Sequence, residues 1–244
     1  NALDPRHTYC LTGDKIKRDF RINEAIMGDV IQGAKRNITV NVDGKNFIDY
    51  VDIIKNGELF ARIDAPRENE PIEGDMIRAK VKIEFGWNRE EEPVHWQGAL
   101  SISEGEIHSV TPCFRGFAYT SPQEGKEQAE DKTLVNRILD QNDKMVELDR
   151  YSTKNPNTLT AATQAVILDV TMPRDGKLTA SFNGEEFSHT MQELLDGTYS
   201  HFMIGWLSEA IQFHRAATQS VTHISYTGVD TKPAKDTDYY YVRV

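Results

Sequence analysis

Two cysteines in 244 residues, Cys10 and Cys113, leave no CxxC pair and exclude a zinc site built from cysteines. One long-range disulfide or two free thiols both remain open. No apolar run approaches the ~18 residues of a membrane helix. Positive charge is in deficit, with 28 Lys and Arg against 38 Asp and Glu. The net charge of −10 excludes a general nucleic-acid backbone binder, which needs a basic face. No GxSxG elbow is present. Gly28 and Gly33 precede no helix start, so no phosphate-cradling loop is formed, and Asp43-Gly44 lacks the further ligands of a calcium loop. None of the seven histidines falls in HxH or HExxH spacing. The expectation is no metal, no cofactor and no catalytic residue in this chain. No leader peptide is visible; Asn1-Ala2, without Met, reads as the start of a processed chain and carries no fold signal.

What is present is a period of two. In Met76–Phe85, Ile77, Ala79, Val81, Ile83 and Phe85 alternate with Arg78, Lys80, Lys82 and Glu84, the mark of a strand with one wet face. Ile38–Val42, Leu178–Phe182 and Tyr240–Val244 repeat it. Asn56-Gly57 and Asn183-Gly184 each separate two such runs and predict hairpins, because a type I′ turn needs positive φ at both central residues. Helix is scarce. Leu134, Val135, Ile138 and Leu139 predict one short helix near 132–140, and Thr190 with Glu193 has capping-box spacing before Leu194-Leu195. The fold class is therefore all-β with little helix, built as packed sheets.

At the C-terminus, Asp236 lies four residues before Tyr240, the spacing of a tyrosine corner in immunoglobulin-like domains, with the Tyr240 hydroxyl bonding back to upstream backbone. Tyr240, Val242 and Val244 are expected to face a core, pairing with Ile38–Val42 or Tyr50–Ile54. The whole then reads as an Ig-like β-sandwich, 37–75 plus 217–244, with a second β-sandwich inserted at 76–216; residues 1–36 form a linker and lead-in strand.

Several segments in order carry a resemblance: Thr8–Gly13 (TYCLTG), Ile16–Gly28 (IKRDFRINEAIMG), Tyr50–Glu58 (YVDIIKNGE), Trp96–Ile107 (WQGALSISEGEI), Trp206–Ala216 (WLSEAIQFHRA) and Asp238–Val244 (DYYYVRV). Together they resemble the region that follows the catalytic barrel in a family of bacterial PHP-related metallohydrolases. Leu11 and Glu24 stand where that family has Thr and Gly. The resemblance implies that the metal-binding His and Asp residues belong to a barrel preceding this chain, and that one more strand follows Val244. The chain would be the non-catalytic accessory β-sandwich region. Its partners would be its own catalytic domain or a second copy of the chain, with no nucleic acid and no membrane. The compartment expected is the periplasm or the cell exterior.

Aromatic residues supply the alternative, a carbohydrate-binding module. Trp87, Trp96 and Trp206, with Phe85, Phe114, Phe117 and Tyr119, have the ring area for a sugar-stacking platform. Trp96 begins a strand and Trp206 lies in the apolar run Phe202–Leu207, so core packing is expected of both. Trp87, before a charged turn, is the best candidate for an exposed ring. Glu84, Glu104 and Glu106 read as solvated strand faces and turns, not as the pair required for glycoside hydrolysis. His189 and His201 flank the capped helix and are placed to face one another.

Overall fold

Alternation over eleven residues makes Met76–Gly86 the longest strand, with Ile77, Ala79, Val81, Ile83 and Phe85 all buried. The computed structural model describes residues 4, 6–11, 14–65, 74–114, 134–154, 162–206 and 208–244. In chain order the strands are β1 (Lys17–Ile22), β2 (Arg36–Asp43), β3 (Tyr50–Lys55), β4 (Glu58–Asp64), β5 (Met76–Gly86), β6 (Val94–Ile102), β7 (Glu106–Cys113), β8 (Arg137–Gln141), β9 (Met145–Ser152) and β10 (Gln164–Pro173). There follow β11 (Lys177–Phe182), β12 (Glu185–Thr190), helix α1 (Met191–Asp196), β13 (Tyr199–Phe202), β14 (Ala210–Phe213), β15 (Ala217–Thr218), helix α2 (Gln219–Thr222), β16 (His223–Asp230) and β17 (Tyr240–Arg243). The chain is all-β, with two short helices among the described residues, and divides into two compact units: Asn1–Pro71 with Ala217–Val244, and Ile72–Ala216.

The first unit packs sheet β1-β2-β16 against sheet β17-β3-β4. Ile38, Val40, Val42, Val51, Ile53, Ile224 and Val242 fill its core. The last strand pairs antiparallel with β3, Tyr240 opposite Lys55 and Val242 opposite Ile53. Val242 is buried and Tyr240 half-buried, while Tyr239, Tyr241 and Arg243 face water. Val244 departs from the expected alternation: it lies beyond the last paired residue and is exposed. The tyrosine corner also takes a different form. The Tyr240 hydroxyl donates to the Asp230 carboxylate at 2.5 Å, and Asp236 is exposed in the turn before β17. A buried carboxylate is a stronger acceptor than a backbone carbonyl, and β16 places Asp230 within reach. Lys55 Nζ donates to the same oxygen at 2.6 Å, and Arg36 pairs with Asp238 at 3.1 Å. This buried charge cluster joins the two sheets of the first sandwich.

The second unit packs sheet β13-β14-β5-β10-β7 against sheet β12-β11-β6-β9-β8. Phe85, Trp96 and Phe182 meet edge-to-face at the centre of the core, with centroids 5.6 and 4.8 Å from Phe85. Residues 137–140, expected as helix, belong instead to the edge strand β8, antiparallel to β9 with a register shift between Ile138 and Asp140. A short apolar cluster is ambiguous between the two periods. Ile138 packs on the core while Leu139 turns to solvent. The Glu-rich stretch 67–73, which reads from sequence as a solvated turn, and 155–157, which reads as a loop, lie outside the described residues. Cys10 and Cys113 are not joined in a disulfide.

Both hairpin tips adopt the left-handed backbone, Asn56 and Gly57 at φ 56° and 88°, Asn183 and Gly184 at φ 54° and 87°. A Cβ on Gly184 would meet nothing within 4 Å. Gly184→Val therefore tests backbone conformation alone, and should lower stability by about 1–2 kcal/mol. An unchanged thermal midpoint would reject the turn.

Candidate functional site

The outer face of sheet β13-β14-β5 carries the site. Residues directly opposite on antiparallel strands share a face, so the register places two rows side by side. One row is Phe202, Ala210 and Gly86; the next is Ser200, Gln212 and Glu84. Ala210 and Gly86 have almost no side chain, so the first row forms a floor. Phe202 rises on one side and Trp87 on the other. The result is a groove of about 450 Å³, lined also by Arg89, Ser208 and Gln212. That size falls within the ~300–1,000 Å³ of small-molecule sites.

Trp87 is displayed by a strained turn. Gly86 has φ +145° and Trp87 itself φ +61°, a left-handed backbone that costs a bulky residue about 1–3 kcal/mol. Asn88 secures the turn from inside. Its side chain accepts from Ser152 Oγ at 2.5 Å and donates to the Ser152 carbonyl at 2.9 Å. The Trp87 ring is left 44% exposed.

Trp206 sits at the β13–β14 hairpin tip, closed by Met203 N–H to the Glu209 carbonyl at 2.8 Å and by Ser208 Oγ donating to the Gly205 carbonyl at 2.8 Å. Sequence predicts this ring in the core; it is 82% exposed, its centroid 5.4 Å from that of Phe202 at 48° between planes. Beyond Phe202, the last residue of β13, the chain turns outward at Gly205, φ +112°. Ile204 beside it is 89% exposed. Trp96, the third tryptophan, is fully buried and donates from Nε1 to Ser152 Oγ at 2.7 Å, so it supports the core and lines no surface. Phe114 is half-buried against the same core, and Phe117 and Tyr119 lie outside the described residues.

Next to Gln212 in the second row, Glu84 accepts from Thr163 Oγ1, from His214 Nε2 at 2.7 Å and from Lys82 Nζ at 2.7 Å. Burial alone would raise the Glu84 pKa. The bonds from His214, Lys82 and Thr163 outweigh it and hold the carboxyl at about 2. Glu84 is thus a fixed anion with its acceptors occupied. Composition marks Glu84 only as a polar strand position; the cross-strand register that assembles this cluster has no local sequence signal.

On the inner face of β13, between Ser200 and Phe202, His201 meets His189 of β12 with Nε2 atoms 2.7 Å apart. The pair spans the edges of the two sheets, stacked on Phe187 and Tyr199. Burial lowers both pKa values, and His189 lowers that of His201 further, against a weaker opposing pull of Glu193 on His189. The folded state therefore takes up protons later than the unfolded chain. Stability should be unaffected above about pH 6.5 and fall below it. Thermal melts between pH 8 and 5 should show this decline, and it should be smaller in His201→Phe; equal declines would reject the pair as its source.

Among the described residues no three His, Cys, Asp or Glu side chains converge to hold a metal ion. In comparison with known proteins, the chain matches no protein-family model, no curated protein and no solved structure.

Proposed function

We propose that this chain is a non-catalytic binding region and that its groove takes carbohydrate. The observation that carries this reading is a groove of about 450 Å³ lined by Trp87 and Phe202, with Trp206, 82% exposed, set against Phe202. A sugar presents an apolar C–H face and a hydroxyl edge. Trp87 and Phe202 in the groove, extended by Trp206 beside Phe202, match the first, while Arg89, Ser200 and Gln212 supply donors and acceptors for the second. The strain at Trp87 has a use if the ring must stand at the groove. Hydrolysis of the bound sugar would need two carboxylates about 5–9.5 Å apart. No carboxylate lines the groove among the described residues, and Glu84 beside it is held ionised.

Titration with a panel of oligosaccharides, followed by tryptophan fluorescence, tests the reading. A saturable blue shift is expected for one sugar class. Trp206→Ala should weaken that binding at least about tenfold, the equivalent of ~1.4 kcal/mol, with an unchanged melting temperature. A panel without any response would sink the carbohydrate reading.

Ile204 favours a second reading, because an aliphatic side chain 89% exposed serves no sugar. It suits a surface covered by protein, as in the accessory region of a PHP-related metallohydrolase docked on its catalytic barrel or on a second copy of the chain. In a longer chain that includes such a barrel, iodide should no longer quench Trp206. In this chain alone, concentration-dependent protection from quenching would indicate self-association. Full quenching in both would reject this reading.

A further inference from the structure

Strand β9 turns Val146, Leu148, Arg150 and Ser152 into the second sandwich. Arg150 is fully buried at a position where the pattern calls for an apolar residue. Its guanidinium carbon lies 3.7 Å from the centroid of the Phe85 ring, 5.3 Å from that of Phe182 and 6.0 Å from that of Phe114. Nε, Nη1 and Nη2 are buried, and none has a hydrogen-bond partner among the described residues. The neighbouring carboxylates Glu147 and Asp149 alternate to the opposite face, where Asp149 pairs with His95 at 2.5 Å.

Arginine cannot escape this situation by losing its proton. Aromatic faces offset part of the cost of burying the cation, but they accept none of its in-plane N–H bonds. A buried charge persists when paired with an opposite one. We propose that Arg150 is an anion site inside the second sandwich, taking a small monovalent anion of the carboxylate class on the guanidinium nitrogens that have no partner among the described residues. The planar fork matches a carboxylate in two parallel bonds. The apolar surroundings disfavour doubly charged anions such as sulfate, whose dehydration costs far more. The site is independent of the outer groove and of the function proposed for it.

The test uses the whole chain with formate as probe. At constant ionic strength, formate should raise the melting temperature saturably, by roughly 5–10 °C at a hundredfold excess over its dissociation constant. Sulfate should raise it less, and Arg150→Met should remove the formate response. A flat response in the wild type, or an equal one in Arg150→Met, would overturn the site. Should Arg150→Met fail to fold, crystals of the wild type soaked in bromide decide the matter. Anomalous density within hydrogen-bonding reach of the guanidinium supports the site. Its absence, or a carboxylate of the chain itself in that place, overturns it.

Discussion

Asp230→Ala should cost about 3 kcal/mol and lower the melting temperature of the first sandwich by roughly 12–24 °C. Asp230 is 4% exposed and accepts from Lys55 Nζ at 2.6 Å and the Tyr240 hydroxyl at 2.5 Å, with Arg36 3.5 Å away. Removing the carboxylate leaves two cations facing each other across the ends of β2 and β3, with one anion, Asp238, to share. Burial would raise the Asp230 pKa, but the bonds from Lys55, Tyr240 and the Lys232 backbone reverse the sign and hold the carboxyl well below its ordinary range. A depressed carboxylate pKa stabilises above the unfolded value near 4, and that contribution is lost as pH falls below it. Asp230→Ala should therefore melt lower than wild type at pH 7, and the gap should narrow toward pH 2. Urea midpoints at the two pH values measure it; a gap independent of pH would remove the carboxylate from the account. The same cluster pushes the Tyr240 phenol up to about 12, through burial first and Asp230 second.

Trp96→Ala should destabilise the second sandwich by about 3–5 kcal/mol, the range for deleting a buried aromatic side chain. The ring is fully buried against Phe85, and its N–H is one of two side-chain groups that meet Ser152 Oγ, the other being Asn88. The loss should be visible as a lower urea midpoint. Trp96→Phe should recover most of the packing but not the hydrogen bond. The Asn88 turn would then slacken, and Trp87 fluorescence should shift toward the red. Trp206→Ala is the contrasting case, since a ring already in water contributes little to the fold. Similar midpoints for Trp96→Ala and Trp206→Ala would contradict the placement of both.

Strand identity was legible residue by residue. Alternation in Met76–Gly86 and Leu178–Phe182, and the Asn-Gly pairs at 56–57 and 183–184, are local signals, because pleat and turn angles are decided by neighbours in the chain. The capping box at Thr190 is local in the same sense, and both of its bonds form. The Arg137–Gln141 strand was not legible, since its few apolar residues satisfy a helix as well as an edge strand. The decision came from β9, which offers a free edge.

The three tryptophans mark the limit more sharply. Trp96 begins an alternating strand and Trp206 stands in an apolar run, and the sequence predicts core packing for both. One lies mid-sheet facing inward; the other caps a hairpin whose turn at Gly205 carries it into solvent. The groove depends on Phe202, Ala210 and Gly86 falling in register across three strands, and the Glu84 cluster on Gln212 falling opposite Glu84. The Tyr240 acceptor is the Asp230 carboxylate of β16, not the upstream backbone that the spacing suggests. Composition and periodicity by themselves determined an all-β chain with little helix, its hairpins and most of its core faces. Which side chains meet was decided by tertiary structure alone, because cross-strand pairing joins residues tens to hundreds of positions apart, and no local pattern encodes that distance.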